Sequence, residues 1–296
     1  MTGEDRASAG ADFAPAEVVR RAFGAYLAEL FAERFPGEDP ARAAFLRETA
    51  ERTLALLGHC DALYHDAEHT MQVTTVGQHV LRGLDPPATP GRWMHVTVAL
   101  LLHDVGYARG ACAGDGAAVV TARNGRRTMP PRGASSAWLA PWHVERSVVH
   151  VVETLVGSPH VEAARVARAV EFTRFPPEEG RSGGSPEEDG LLVRAADLVG
   201  QLGDPRYPWK MAALYHEMAE AGQAAALGHR SPADLFEALP EFYAREVEPY
   251  LGAALASLAR TPEGRAWIRR LNANVAAARD GALRPGPFPG PRPRGP

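Results

Sequence analysis

Tyr64-His65-Asp66-Ala67-Glu68-His69-Thr70 is followed, 34 residues after His69, by His103-Asp104, in Leu101-Leu102-His103-Asp104-Val105-Gly106. Residues four apart on a helix share a face, so a helix through this stretch points His65 and His69 into one pocket. The apolar run ending in His103-Asp104 reads as a second helix that brings another imidazole and a carboxylate to the same place. Asp197, in Arg194-Ala195-Ala196-Asp197-Leu198, is a further acidic residue in an apolar helix, where an unpartnered carboxylate would be costly. Histidine and aspartate in this combination suit Zn, Mn or Fe, with Mg at a carboxylate-rich position.

Working outward, the helical period continues in both directions. The third helix of the chain is expected over about 66–84, with Val73, Val76, Val80, Leu81 and Leu84 inward, and Pro86-Pro87 ends it. The fourth, over about 91–105, carries Val96, Val98 and Leu100 to Leu102 and stops at Gly106. Before them, Val18, Val19, Phe23, Tyr26, Leu27, Leu30 and Phe31 form one stripe, and Phe45, Leu46, Thr49, Thr53, Leu54 and Leu57 another. Helices are also expected at 143–156, 160–173, 188–202, 208–224, 232–257 and 261–279. The fold class is therefore all-α: one helical domain over 15–280.

The stretch from Ala108 to Pro141 departs from the helical pattern, being rich in Gly, Arg, Pro and Ser. Within it, 119–123 and 126–129 flank Asn124-Gly125, which predicts a β-hairpin with positive φ at both turn residues. A long insertion beginning just after His103-Asp104 suits a lid or substrate loop. Residues 1–14 and the Pro/Gly-rich 281–296 are expected to be disordered, since proline lacks the donor N–H.

Bulk properties exclude more than they assign. A net charge of −4 gives no global attraction to nucleic acid or to an anionic membrane. No apolar run is long enough to cross a bilayer, and the polar, acidic start carries no signal peptide. Two cysteines, Cys60 and Cys112, without metal-binding spacing suit a reducing, cytoplasmic setting. There is no Walker loop and no Gly-x-Gly-x-x-Gly fingerprint.

The order Tyr-His-x-x-x-His-Thr, then Leu-Leu-His-Asp, then Ala-Ala-Asp resembles the HD superfamily of metal-dependent phosphohydrolases over residues 60–215, and its class I cyclic nucleotide phosphodiesterase branch most closely. The resemblance implies that His69, His103, Asp104 and Asp197 hold a first metal, with Asp104 bridging to a second ion. It makes His65 the general acid, and the reaction attack of a metal-bound hydroxide on a phosphoester. The substrate implied is a small phosphorylated molecule, with a cyclic nucleotide as the named candidate. After the His-Asp pair this chain has Val105-Gly106-Tyr107-Ala108-Arg109 in place of that branch's asparagine-rich continuation.

A second metal needs further ligands. His143 opens the helix after the insertion and is the first candidate; Glu145 does not share its face, and His150 follows seven residues on. Thr173 stands about where two-iron HD proteins place another histidine, which leaves one or two ions open. Arg109, Arg206 and Lys210 are the candidate substrate cations, chosen by their closeness in sequence to the ligands, and Gln201 shares a face with Asp197. The alternative reading is an HD-type di-iron oxygenase acting on a small molecule.

Overall fold

The computed structural model describes residues 14–175 and 188–281. The two ends expected to be disordered lie outside these residues except for Ala14 and Gly281. The fold is all-α with one small hairpin. Helices α1 (Pro15–Arg34) and α2 (Pro40–Leu57) pack on each other. Then come α3 (Ala67–Arg82) and α4 (Pro90–Leu102), each opened by a side-chain cap: Asp66 accepts from the His69 N–H and Thr89 from the Arg92 N–H. After the insertion follow α5 (His143–Leu155), α6 (Ala163–Glu171), α7 (Asp189–Leu202) and α8 (Tyr207–Glu220).

The core is built around α3, α4 and α7. Two glycines allow these helices to approach closely. A Cβ on Gly200 of α7 would meet the Val73 Cα at 3.0 Å, and one on Gly77 of α3 would sit 2.1 Å from Leu100 of α4. Asp197 lies one turn from Gly200, His69 one turn from Val73 and His103 one turn from Leu100, so the same contacts bring the three side chains together. Val73, Val76, Val80, Leu100 and Leu101 are buried as expected. Val18 and Val19 are not: at 52% and 47% exposure they lie outside the core, and the buried stripe of α1 begins at Gly24 and Leu27.

After a short α9 (Gln223–Ala226), the helix expected over 232–257 is broken into α10 (Pro232–Glu237), α11 (Leu239–Phe242) and α12 (Gly252–Leu258). Between α11 and α12 the chain makes a π turn, Tyr243–Val247, and a 3-10 turn, Glu248–Tyr250. Pro249 has no N–H to give and its ring opposes the preceding turn, so the α ladder cannot run through it. A last helix, α13 (Pro262–Arg279), closes on α3 and α7.

The hairpin forms. Strands β1 (Val119–Val120) and β2 (Arg127–Thr128) pair antiparallel, Val119 opposite Thr128 and Val120 opposite Arg127. Its turn differs from the expectation: Gly125 alone has positive φ, at 80°, while the Asn124 side chain accepts the Arg126 N–H at 3.1 Å. The Thr121 N–H donates to the Arg126 carbonyl at 2.7 Å, so the loop holds four residues, 122–125, and needs one left-handed position.

Candidate metal centre

Helix α3 starts at Ala67, so His65 lies in the turn before the helix, and shared helical spacing is not what orients it. Glu217 of α8 does that. Its Oε2 lies 2.5 Å from His65 Nδ1, and its Oε1 accepts the backbone N–H of Tyr64 at 2.5 Å and of His65 at 3.1 Å. Burial alone would lower the His65 pKa, but the Glu217 carboxylate overrides it and pushes it up to about 9.

His69, His103, Asp104 and Asp197 converge as the sequence predicts. His69 Nε2 is 3.4 Å from Asp104 Oδ2 and 3.3 Å from Asp197 Oδ1; His103 Nε2 is 3.1 Å and 3.7 Å from the same two oxygens. Both Nε2 atoms are buried without a hydrogen-bond partner. The His103 Nδ1 donates to the Leu100 carbonyl at 2.7 Å, which turns its Nε2 toward the carboxylates. Burial opposes charge on both rings, yet the two aspartates raise their pKa values; in return the imidazoles hold Asp104 and Asp197 below the usual carboxylate range.

These residues are suited to a cation. Neighbouring ligands at 2.0–2.2 Å from a tetrahedral or octahedral ion lie about 2.8–3.6 Å from one another. The N–O separations above fall close to that range, and an ion would satisfy both unpartnered nitrogens. His69, His103 and Asp197 form one group that could hold a metal ion, and His65, His69 and Asp104 another.

Asp104 faces two ways. Its Oδ2 meets His69 and His103, while its Oδ1 is 3.7 Å from His143 Nε2. His143 donates from Nδ1 to the Ala140 carbonyl at 2.6 Å, and burial holds its pKa below the ordinary value, so the ring stays neutral with Nε2 free to ligate. The 3-10 turn Val105–Tyr107 places it: a Cβ on Gly106 would be 1.9 Å from the His143 carbonyl oxygen, and the Gly106 N–H donates to Ser147 Oγ at 2.9 Å. Tyr107 of that turn stacks on His65, with centroids 4.6 Å apart and planes 7° apart, and on His143 at 4.5 Å and 21°.

The remaining candidates do not enter this cluster. His150 donates from Nδ1 to the Ala111 carbonyl, and Glu145 pairs with Arg123 and Arg174. Arg109 is exposed and donates to the Ala134 carbonyl in the insertion. Arg206 and Lys210 both pair with Glu68, beside His69, and Lys210 also meets Asp204 at 2.6 Å. They bind α8 to the start of α3 and are already neutralised. Gln201 is half-buried and makes no side-chain hydrogen bond among the described residues.

Two residues were missed by reading the sequence. Glu217 falls on the same α8 face as the buried Tyr207, Met211 and Leu214, and a carboxylate there signals a buried partner. Tyr107 carries no such signal; its apolar neighbours mark it only as core.

The insertion is anchored by Arg146 of α5, which is fully buried. Its guanidinium donates to the carbonyls of Gly106, Ala108 and Val120 and, through both Nη atoms, to the Asp115 carboxylate at 3.0 and 2.8 Å. Asp115 in turn accepts from the N–H groups of Gly110 and Val120 at 2.9 and 2.8 Å. The loop expected to be a lid is therefore fixed at its base.

Among the described residues no helix is long and apolar enough to cross a membrane. Comparison with curated proteins and with solved structures finds no match. Residues 13–280, which contain every residue of the centre, match a family without an assigned function, and the chain belongs to it: the Npun_R2479-like family.

Proposed function

We propose that the protein is a metal-dependent hydrolase of small phosphoesters, with a cyclic nucleotide as the named candidate substrate. The observation that supports this most directly is the pair of buried, unpartnered nitrogens, His69 Nε2 and His103 Nε2, facing Asp104 and Asp197. On the proposed reading these four residues hold the first divalent ion, Zn, Mn, Mg or Fe. When bound, such an ion supplies Lewis acidity and lowers the pKa of water.

The protein's own part is to deliver a proton. His65 is anchored at Nδ1 by Glu217, which keeps the ring protonated at neutral pH and leaves its other nitrogen to protonate the leaving alkoxide. Tyr107 covers one face of that ring and keeps bulk water from it. Its own hydroxyl stays protonated, because burial raises its pKa well above the ordinary value. Arg206 and Lys210, engaged by Glu68, are assigned a structural role at the rim of the centre, and substrate charge falls to the centre itself. Both cysteines are free thiols, which suits the reducing, cytoplasmic setting expected.

A two-iron oxygenase is the second reading, favoured by the Asp104 carboxylate reaching toward His143 with its other oxygen. Elemental analysis of protein purified without chelator, beside a phosphoester panel and an oxygen-uptake assay, tests both. Bound metal with phosphoester turnover, both lost in His103→Ala, is the expected result. Two irons with oxygen uptake and no turnover would select the second reading, and a protein that takes up no metal on reconstitution would end both.

A further inference from the structure

Between α2 and α5 lies a pocket of about 460 Å³ that no residue of the metal centre lines. One wall is a single stripe of α2, where Thr49, Arg52, Thr53 and Leu56 follow at helical steps. His150 and Thr154, one turn apart on α5, form the facing wall, and Leu102 and Leu155 add apolar surface. None of the lining residues is acidic.

The polar groups there have defined roles. His150 spends its Nδ1 proton on the Ala111 carbonyl at 2.6 Å, which leaves Nε2 as an acceptor. Burial lowers its pKa, with Arg146 and Arg52 adding to the effect against Glu153, so the ring is neutral. Thr53 and Thr154 give their hydroxyl protons to the Thr49 and His150 carbonyls, at 2.8 and 2.7 Å. Thr49 does not follow them: its hydroxyl is buried with no hydrogen-bond partner. Arg52 meets Glu48 at 3.5 Å in a pair that is more than half exposed, so its guanidinium is available at low cost.

We propose that this pocket is a second small-molecule site, for an organic acid that also carries a hydroxyl group. Arg52 receives the anionic oxygens, His150 Nε2 accepts from the hydroxyl, and Leu56, Leu102 and Leu155 cover the aliphatic body. Occupancy would act on Leu102, the residue before His103, and on α5, which starts at His143.

The test is a titration of the full chain with 6-hydroxyhexanoate, hexanoate and 1,6-hexanediol, read by the methyl NMR signals of Thr49, Leu102, Thr154 and Leu155. The hydroxy acid is expected to move these signals at roughly millimolar concentration, and the other two probes to bind about tenfold more weakly. Arg52→Gln, an exposed change that leaves the core intact, should bring the hydroxy acid down to the affinity of the diol; His150→Phe should bring it down to that of hexanoate. No displacement at about 10 mM, or an unchanged affinity in Arg52→Gln, overturns the site. Equal affinity for hexanoate and the hydroxy acid overturns the ligand class.

Discussion

Glu217 grips His65 across 152 residues of chain, with Oε2 2.5 Å from Nδ1 and Oε1 accepting the His65 backbone N–H at 3.1 Å. Ring and backbone are fixed by one carboxylate, so His65 has little freedom to turn away from the centre. A charged pair held this way also has a pH signature. The folded His65 pKa is raised from 6.5 to about 9, so its stabilising effect is complete below about 6.5, declines as pH rises, and is gone above about 9. Chelator-treated protein should therefore lose stability to urea between these limits. In Glu217→Gln that loss should flatten; an equal slope in both proteins would contradict it.

The same contact predicts a kinetic effect if the proposed hydrolysis is correct. Glu217→Gln keeps the shape but not the charge, and should lower kcat by about 10- to 100-fold while KM stays near its starting value. Steady-state rates on a cyclic nucleotide, whose leaving group is an alkoxide that needs the proton, measure both constants.

Metal uptake should release protons. The aspartates raise the His69 and His103 pKa values in the metal-free protein, so a cation must displace protons from these rings. Affinity should fall as pH falls, and calorimetric heats should differ between buffers of different ionisation enthalpy. His103→Ala should abolish tight binding altogether.

Arg146→Met removes a buried guanidinium and takes the counter-charge from Asp115 and a donor from each of three carbonyls. The expected cost is about 3–5 kcal/mol in urea unfolding. Adding Asp115→Asn should recover part of it, because the stranded charge goes too; full additivity would show that the pair is not coupled.

Lys210 and Arg206 should differ despite sharing Glu68. The Arg206–Glu68 pair is half exposed, so Arg206→Met should cost no more than about 1 kcal/mol. Lys210 also meets Asp204, whose side chain is 1% exposed, and Lys210→Met should cost about 2 kcal/mol. Chemical denaturation of the two variants side by side decides the order.

What the sequence revealed follows from what a one-dimensional pattern encodes. His69, His103, Asp104 and Asp197 are legible because His69 and Asp197 sit on periodic helices, and His103-Asp104 directly follows the apolar run of α4, whose buried face settles where they emerge. Asn124-Gly125 announced the hairpin, although the loop uses one left-handed residue where two were expected. Glu217 escaped notice because its partner is set by the packing of α8 against the turn before α3, which no local spacing records. Arg109, Arg206 and Lys210 are near the ligands in sequence, and in the structure they contact the Ala134 carbonyl, Glu68 and, for Lys210, Asp204. The helix expected over 232–257 does not run through, because Pro249 interrupts the ladder that the apolar period there favours.

Gly106 lies against the His143 carbonyl, so the chain leaves for the 108–141 insertion and returns from it at nearly one point. The ends of that excursion are joined by the domain itself, whatever lies between them. Each doubling of such a loop costs only about 0.6 kcal/mol in closure entropy. Beyond the part that Arg146 holds, the loop can therefore lengthen or take a new tip at little cost, while His103, Asp104 and His143 keep their places.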